Sequence, residues 1–172
     1  MKIVLHEPET LSLRRKRCLK PKAKGNEKIH ELAGVRSTQI GESIFVWPFC
    51  VILSGAKIGS NCNINCNCFI ENDMIIGSNV TIKSGVYVWD GVRVEDNVFV
   101  GPCVAFTNDI FPRSKHYPVQ FLQTFIGENA SIGANSTILT GVKIGSYVLM
   151  GVGSMVTRDI PSSLCAMKIP QK

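Results

Sequence analysis

Apolar residues recur at every sixth position along most of this chain. A first block runs from Ile40 to Phe106, the phase is then lost, and a second block runs from Ile126 to Val156. The eighteen positions are Ile40, Val46, Ile52, Ile58, Ile64, Ile70, Ile76, Ile82, Val88, Val94, Val100, Phe106, Ile126, Ile132, Ile138, Ile144, Met150 and Val156. A period of six matches neither an α-helix nor a simple alternating strand, so the pattern indicates a repeat architecture.

Two further columns keep the same phase. The residue two places before each apolar position is small or β-branched in nearly every repeat, as in Cys50, Ala56 and Val80, which suits an interior with little room. The residue three places after it is Gly, Asn or Asp in fourteen of the eighteen repeats. Because these residues tolerate positive φ, this column predicts the corners between strands.

A short strand followed by a corner is the unit that these columns predict. Three units close a coil of eighteen residues, and Gly41, Gly59 and Gly77, eighteen residues apart, support that length. Coils stack at the strand spacing, so eighteen repeats give about six coils and a prism about 29 Å tall. The expected fold is all-β, a parallel β-helix.

Corner positions also change how the acidic and amide residues are interpreted. Asp73, Asp109 and Asp159 lie in the corner column, which favours a turn role over that of a catalytic acid. The stacked Asn61 and Asn79 predict a corner ladder. Asp90 lies off this column, two places after Val88, where a corner role does not account for it.

The net charge of +6 is concentrated at the N-terminus. Residues 1–28 hold nine Lys or Arg and three Glu, and the other 144 residues carry ten basic and ten acidic side chains. A nucleic-acid surface on the folded body is therefore not expected. We divide the chain into a basic extension (1–28), a β-helix domain (29–161) and a C-terminal tail (162–172). The extension is interpreted as disordered or loosely attached, with contact to an anionic surface or partner as the alternative.

Cysteine usage and hydropathy indicate a reducing compartment. No apolar run approaches the roughly 20 residues that span a bilayer, so a cytoplasmic location is expected. The seven cysteines are an odd number, which indicates reduced thiols. Cys62, Cys66 and Cys68 do not have the C-x2-C spacing of zinc modules, and Cys62 and Cys68 fall in the interior column, so we expect inert buried thiols and no metal. Cys66 is off that column and stays open.

The break in the repeat is where function is expected, because a regular prism offers only flat faces. Twenty residues separate Phe106 from Ile126 where six would keep the phase, which leaves a fourteen-residue excursion within 107-TNDIFPRSKHYPVQFLQTF-125. The excursion holds Arg113, Lys115 and His116, the last being the one histidine of the repeat region. We expect this loop to protrude and to wall a cleft.

Three segments resemble a known family. They are 70-IENDMIIGSNVTIKSGVYVWDGV-92, 99-FVGPCVAFTNDIFPRS-114 and 130-ASIGANSTILTGVKIGSYVLMGVGSMVTRDIP-161. They resemble the left-handed β-helix hexapeptide acyltransferases, above all the N-acetyltransferases of nucleotide-linked, especially dTDP-linked, 3-amino-dideoxyhexoses. The resemblance covers residues 29–161. It implies left-handed coils and transfer of an acetyl group from acetyl-CoA, a cosubstrate, to a sugar amine for surface polysaccharide biosynthesis.

The resemblance also implies a homotrimer with a site between adjacent prisms. The implied CoA contacts are Gly133, Ala134, Gly151, Val152, Thr157 and Arg158. Small residues let a pantetheine chain approach backbone amides, and Arg158 suits a CoA phosphate. The repeat itself explains Gly133 and Gly151 equally well.

For the nucleotide sugar, the family frame points to Trp89, Asn108, Asp109 and Arg113. Arg113 suits a pyrophosphate and Trp89 a base or a sugar, although surface packing would explain both. Two residues are candidates for catalysis: Asp90 by contacting the substrate amine, and His116 as a general base. Direct attack by the amine without a base is the alternative to His116.

Other functions remain as rivals. A γ-class carbonic anhydrase shares the architecture but needs three histidines around zinc, and residues 37–107 contain none. A hexapeptide acyltransferase for another acceptor stays open because the loops select the acceptor. A non-catalytic β-helix scaffold stays open as well.

Overall fold

The computed structural model describes residues 28–116, 118–163 and 165–166, and these form a solenoid of short strands. Twenty-one strands of two or three residues are present, and the described residues contain no helix. The strands are β1 (Lys28–Ile29), β2 (Gly34–Val35), β3 (Gln39–Ile40), β4 (Phe45–Val46), β5 (Val51–Ile52), β6 (Lys57–Ile58), β7 (Asn63–Ile64), β8 (Phe69–Ile70), β9 (Ile75–Ile76), β10 (Thr81–Ile82), β11 (Tyr87–Val88), β12 (Val92–Val94), β13 (Phe99–Val100), β14 (Ala105–Phe106), β15 (Thr124–Ile126), β16 (Ser131–Ile132), β17 (Thr137–Ile138), β18 (Lys143–Ile144), β19 (Leu149–Met150), β20 (Met155–Val156) and β21 (Cys165–Ala166).

The strands stack into three parallel sheets. Sheet A contains β1, β4, β7, β10, β13, β16, β19 and β21; sheet B contains β2, β5, β8, β11, β14, β17 and β20; sheet C contains β3, β6, β9, β12, β15 and β18. A residue pairs with the residue eighteen places later, as Ile64 does with Ile82 and Ile82 with Val100. From Val100 to Ile132 the offset is thirty-two, because the fourteen extra residues of the loop leave the stack. The predicted parallel β-helix is confirmed.

The solenoid is longer than the repeat count indicated. Three strands make one coil, so twenty-one strands make seven coils, one more than the six predicted. The additional strands are β1 and β2, which precede Ile40, and β21, which follows Val156 and pairs with β19. Their sequences depart from the six-residue pattern, so the phase alone did not reveal them.

The inward columns form one continuous core. The apolar column from Val46 to Val156 is buried throughout, and so is most of the small column that includes Cys50, Ala56 and Ser136. Each fully buried Ile or Val contributes about 1.5–3 kcal/mol. Ser136 is accommodated because its hydroxyl donates to Gly133 O at 2.7 Å.

The corner column behaves largely as predicted. Fourteen of its eighteen residues have positive φ, and the predicted ladder is present where Asn61 Nδ2 donates to Asn79 Oδ1 at 2.8 Å. Four of the fourteen are residues that seldom adopt this conformation, with φ between 56° and 61°: Ser43, Phe49, Cys103 and Tyr147. An L-residue costs about 1–2 kcal/mol in that region.

The corner between sheets B and C, here called the B–C corner, departs from the expectation. Gly55, Asp73, Asp109 and Asp159 occupy the corner column there without positive φ. At other corners the N–H donates to a carbonyl of the preceding coil, as Asn67 does to Pro48 at 3.3 Å. The N–H groups of Gly55 and Asp73 instead donate to side chains of the following coil.

The aspartates of this corner keep a turn role through their carboxylates. Asp109 Oδ1 accepts the N–H of Phe111 at 2.8 Å, and Asp159 Oδ1 accepts the N–H of Lys143 at 2.8 Å. The carboxylate of Asp73 accepts two hydrogen bonds from Arg93, each 2.8 Å long. A turn role is thus observed for all three, by hydrogen bonding rather than by positive φ.

The ends of the chain lie largely outside this description. The basic extension is outside the described residues except for Lys28, the first residue of β1. At the other end β21 lies within the predicted tail, so described strands run past both predicted boundaries of the β-helix domain. Nowhere in the described ranges is there a helix of the length and apolarity that crossing a membrane requires.

Candidate functional site

The excursion leaves the solenoid after β14 and returns at β15, and both ends are fastened to the same corner of the next coil. Thr107 Oγ1 accepts the N–H of Thr140 at 2.9 Å, and Thr124 Oγ1 accepts the N–H of Gly141 at 3.0 Å. Thr140 Oγ1 donates to Leu122 O at 3.3 Å. These three threonine hydroxyls therefore fix both ends of the inserted loop at the B–C corner.

The middle of the loop is exposed. Phe111 and Val119 have exposed side chains, as have Arg113, Lys115 and His116. A backbone bridge between Arg113 and His116, with His116 N donating to Arg113 O at 3.1 Å, closes a tight turn. The loop predicted near residues 107–125 is present over 107–123, because Thr124 and Phe125 belong to β15.

The candidate acceptor residues lie at the B–C corner and in the loop that springs from it. Trp89 and Asp90 follow β11, and Asn108 and Asp109 follow β14, the adjacent strand of sheet B. Tyr87 pairs with Ala105, which places the two following segments one coil apart. Arg113 and His116 lie further out along the loop. The structure thus places Trp89, Asp90, Asn108 and Asp109 at one edge of sheet B, with Arg113 and His116 on the exposed part of the loop that leaves this edge.

Asp90 has a structural partner that the sequence did not reveal. Its Oδ1 accepts the N–H of Asp73 at 2.6 Å, just as Asn72 Oδ1, one coil earlier, accepts the N–H of Gly55 at 3.1 Å. The N–H of Asp90 donates to Glu71 Oε2 at 2.7 Å. The inference that no corner role accounts for Asp90 was therefore wrong, because side chains of this corner form a ladder of their own.

Sheet B also carries an aromatic groove of about 400 Å³. The lining residues are Phe49, Val51, Asn67, Cys68, Phe69, Tyr87 and Trp89. The Trp89 ring lies 5.7 Å from that of Phe69 and 5.9 Å from that of Tyr87, centroid to centroid. Such tilted and edge-on pairs hold Trp89 at the surface while part of it packs against the core.

Most of this groove was missed in the sequence. Val51, Phe69 and Tyr87 are eighteen residues apart, and each lies one place before a buried residue of the six-residue column. Comparing that outward column as well as the inward ones would have found them. Phe49 occupies a corner position where Gly or Asn was expected. An aromatic residue at that position was the sequence feature that could have indicated the groove.

The candidate CoA residues fall into two groups. Gly133 and Ala134 lie directly below Gly151 and Val152, at the corner between sheets A and B, where Gly153 N donates to Ala134 O at 2.8 Å. Thr157 and Arg158 follow β20, at the B–C corner, and both are exposed. The two groups lie at opposite edges of sheet B.

Close stacking explains Gly133 without a ligand. A Cβ atom there would lie 2.5 Å from the carbonyl carbon of Gly151 and 2.6 Å from the nitrogen of Val152. Gly59 meets the same obstacle, with its Cβ 2.6 Å from the carbonyl carbon of Gly77, far from the candidate CoA residues. Contact of Gly133 with CoA stays a prediction.

The cysteines of the interior column are buried, as predicted. Cys62 and Cys68 are 0% and 2% exposed. Burial raises the pKa of the Cys62 thiol, and the neighbouring Cys50 thiol together with burial raises the pKa of Cys68. Cys66 is half-buried and Cys103 is exposed. Within the described ranges no group of three or more His, Cys, Asp or Glu is arranged to hold a metal ion.

The six-residue pattern and the three parallel sheets match a defined family. The model of the bacterial transferase hexapeptide family, with six repeats, matches residues 37–72, 73–108 and 123–158, more than half of the chain. This chain belongs to the bacterial transferase hexapeptide family. The resemblance inferred from the sequence is therefore confirmed.

Two proteins with similar sequences are acetyltransferases. The chain is 55% identical over 144 residues to the dTDP-3-amino-3,6-dideoxy-α-D-galactopyranose 3-N-acetyltransferase of Aneurinibacillus thermoaerophilus, covering 84% of this chain and 75% of that protein. It is 35% identical over 78 residues to the galactoside O-acetyltransferase of Lactococcus lactis subsp. lactis, covering 43% of this chain and 38% of that protein.

A solved hexapeptide-family structure has the same fold. It is the GDP-perosamine N-acetyltransferase of Caulobacter crescentus, solved as a variant in complex with CoA and GDP-perosamine, with a TM-score of 0.50 and 25% identity. The match covers 85% of this chain and 55% of that one, so the chain spans about half the length of that protein.

Proposed function

We propose that this chain is an acetyl-CoA-dependent N-acetyltransferase that acetylates the amino group of a nucleotide-linked, dTDP-type 3-amino-dideoxy sugar. The observation that carries the proposal is the 55% identity, across 84% of the chain, to a 3-N-acetyltransferase of a dTDP-linked 3-amino sugar. The role in surface polysaccharide biosynthesis belongs to this proposal.

The reaction needs little covalent help from the protein. The free amine attacks the thioester carbonyl, the C–N bond forms, the C–S bond breaks, and the CoA thiolate leaves while the nitrogen loses a proton. The protein must hold the amine unprotonated against the thioester and stabilise the carbonyl oxygen as it becomes negative. Backbone N–H groups and nearby polar side chains suffice for such a task.

Acceptor binding is assigned to the B–C corner and the aromatic groove beside it. Trp89 presents an aromatic edge for a base or sugar, and Arg113 supplies a cation for the pyrophosphate. Asn108 and Asp109 lie where the loop begins, and Asp90 is the residue assigned to the amine. His116 is exposed and lies three residues after Arg113 in the loop. It is the candidate general base, and direct attack by the amine without a base is the alternative.

Acetyl-CoA is assigned to the upper coils. Gly133, Ala134, Gly151 and Val152 form a smooth edge at one side of sheet B, and Thr157 and Arg158 lie at its other side. The exposed Arg158 is the residue assigned to a CoA phosphate.

We also propose a homotrimer acting in the cytoplasm, where acetyl-CoA is available. Between Val51 and Thr157 the outward residues of sheet B include one charged side chain, Glu71, whereas sheet C presents Lys57, Arg93 and Lys143. A face with so little charge supports burial against another copy of the chain.

Thiol release from acetyl-CoA tests the function directly. The purified protein is assayed with a panel of dTDP- and UDP-linked amino sugars and with matched sugars that carry a hydroxyl in place of the amine. We expect acceptor-dependent release with a dTDP-linked 3-amino sugar and at least about tenfold slower release with its hydroxyl counterpart. Absence of release with every amine and every hydroxyl acceptor would favour the scaffold.

A hydroxyl acceptor is the second candidate. The observation that favours it is that 78 residues of this chain are 35% identical to a galactoside O-acetyltransferase. That match covers 43% of the chain against 84% for the N-acetyltransferase, which is why the amine acceptor is preferred. Faster release with the hydroxyl members of the panel would reverse the preference.

A further inference from the structure

Contacts between coils at the B–C corner use two kinds of acceptor. Neutral groups serve at three points: Asn72 accepts the N–H of Gly55, Thr107 that of Thr140, and Thr124 that of Gly141. The carboxylates of Glu71, Asp90 and Asp159 serve at three others. The hydrogen bond between coils therefore requires an oxygen acceptor at this corner and not an ionised group.

Three carboxylates at this corner belong to one chain of hydrogen bonds. Asp90 accepts the N–H of Asp73, and Glu71 accepts the N–H of Asp90. Among the described residues, the ion pair at this corner joins Arg93 to Asp73, and Arg93 also donates to the carbonyl of Asp73. The hydrogen bond of the Glu71 carboxylate is the one from Asp90, so the contact that Glu71 makes is with the segment that carries Trp89.

The position of Glu71 suggests what it does. It follows β8 on the outward face of sheet B, one coil before Trp89 and beside Phe69, at the edge of the aromatic groove. Its Oε2 accepts the N–H of Asp90, the residue directly after Trp89. This hydrogen bond restrains the backbone between Trp89 and Asp90, and what it requires of residue 71 is an oxygen acceptor at that position.

We propose that Glu71 is a positioning residue: its carboxylate fixes the Trp89–Asp90 segment so that the indole and the Asp90 carboxylate hold the acceptor in line with the thioester. This inference rests on the proposed function. Glu71 acts through Asp90 and Trp89 and need not touch the acceptor. Its loss is expected to change the rate of the bound complex more than the binding of acetyl-CoA.

Three variants separate positioning from stability. Glu71→Ala removes the acceptor atom, Glu71→Gln keeps an oxygen that accepts the Asp90 N–H, and Asn72→Ala breaks the neighbouring link to Gly55. We expect Glu71→Ala to lower kcat about tenfold with KM for acetyl-CoA unchanged, and Glu71→Gln to restore most of it. Asn72→Ala is expected to lower Tm and leave kcat unchanged. Equal kcat in Glu71→Ala and wild type would overturn the inference while the function stands.

A second readout does not depend on activity. The chain has two tryptophans, so in a Trp47→Phe background the fluorescence reports on Trp89. We expect Glu71→Ala to shift that emission to longer wavelength, because the Trp89 ring becomes more mobile and more hydrated, with Glu71→Gln and Asn72→Ala close to the background protein. Wild type that is inactive on the whole panel refutes the proposed function, and an unshifted emission in Glu71→Ala refutes positioning by Glu71 in either case.

Discussion

Single side chains at the B–C corner serve the fold and the candidate site at once. Asp90 occupies the same ladder position as Asn72, and each accepts an N–H of the preceding coil. The two residues differ in charge and not in the hydrogen bond that stabilises the corner. That difference allows the structural and the chemical contributions of Asp90 to be measured separately.

Replacing Asp90 by Asn tests its assignment to the amine. Asp90→Asn keeps an oxygen for the Asp73 N–H, so the free energy of unfolding should change by less than about 0.5 kcal/mol, whereas Asp90→Ala should lose about 1–3 kcal/mol. If Asp90 contacts the amine, kcat/KM for the amino sugar should fall about tenfold to a hundredfold in Asp90→Asn. Steady-state kinetics and denaturant unfolding check both values. Full activity in Asp90→Asn would leave Asp90 a purely structural residue.

Cys103 offers a test of corner strain. It is exposed and has φ 56° at a position where most corners have Gly or Asn. Because Asn adopts this conformation at lower cost, Cys103→Asn should raise the free energy of unfolding by about 1 kcal/mol. Cys66→Asn, off the corner column, serves as the control and should bring no gain. Urea unfolding measures the difference, and equal stabilities for Cys103→Asn and wild type would contradict the strain.

At the level of elements, the loop is an insertion held by threonine hydroxyls. Thr124 is 1% exposed and accepts the Gly141 N–H, while Thr107 accepts that of Thr140. These contacts fasten the two ends of the loop to one corner, so the loop base is fixed while its middle is exposed. The fixed base sets where Asn108 and Asp109 leave the solenoid.

Thr124→Val measures the strength of that base. Valine has nearly the same shape but lacks the oxygen, so the N–H of Gly141 loses its partner and stability should fall by about 1–3 kcal/mol. Activity toward the amino sugar should fall as well, because the loop end loosens. Thr81→Val, on an outward strand position of sheet A, is the matched control. Thermal unfolding of both variants decides, and equal Tm values would argue against the anchor.

Stacking of coils imposes a different constraint at glycines. Gly133→Ala places a Cβ against the backbone of Gly151 and should cost about 1–3 kcal/mol through overpacking. At Gly153 nothing lies within 4 Å of an added Cβ, and φ is +69°, so Gly153→Ala should cost only the conformational term of about 1 kcal/mol. Denaturant unfolding separates them. A larger loss at Gly153 would contradict the role given to close stacking.

The sequence predicts the solenoid well because the core is a property of the period. Once Ile58, Ile76 and Val94 share a phase, the strand pairing and the inward face follow. The B–C corner could not be predicted in the same way, because its hydrogen bonds join residues about eighteen places apart and depend on side chains such as Asp90 and Glu71. The aromatic groove went unnoticed because Phe69 and Tyr87 lie in an outward column, where apolar residues do not signal the fold.

For the whole molecule, the face of sheet B, where Glu71 is the one charged outward side chain between Val51 and Thr157, predicts assembly. Native mass spectrometry should give the mass of three chains. Met155 lies on this face and is 58% exposed in the single chain. Met155→Lys would bury a charge at the interface between copies, so it should weaken assembly at least about tenfold. Lys57→Ala on sheet C is the control and should remain assembled. A monomer at micromolar concentration for wild type would refute the trimer.

The identity of the acetylated product tests the central claim most directly. The protein is incubated with acetyl-CoA and dTDP-3-amino-3,6-dideoxygalactose, and the product is analysed by mass spectrometry and by NMR. The account predicts the gain of one acetyl group as an amide on the nitrogen at ring position 3. An acetyl ester on a sugar oxygen, or an acceptor recovered unchanged, would contradict it.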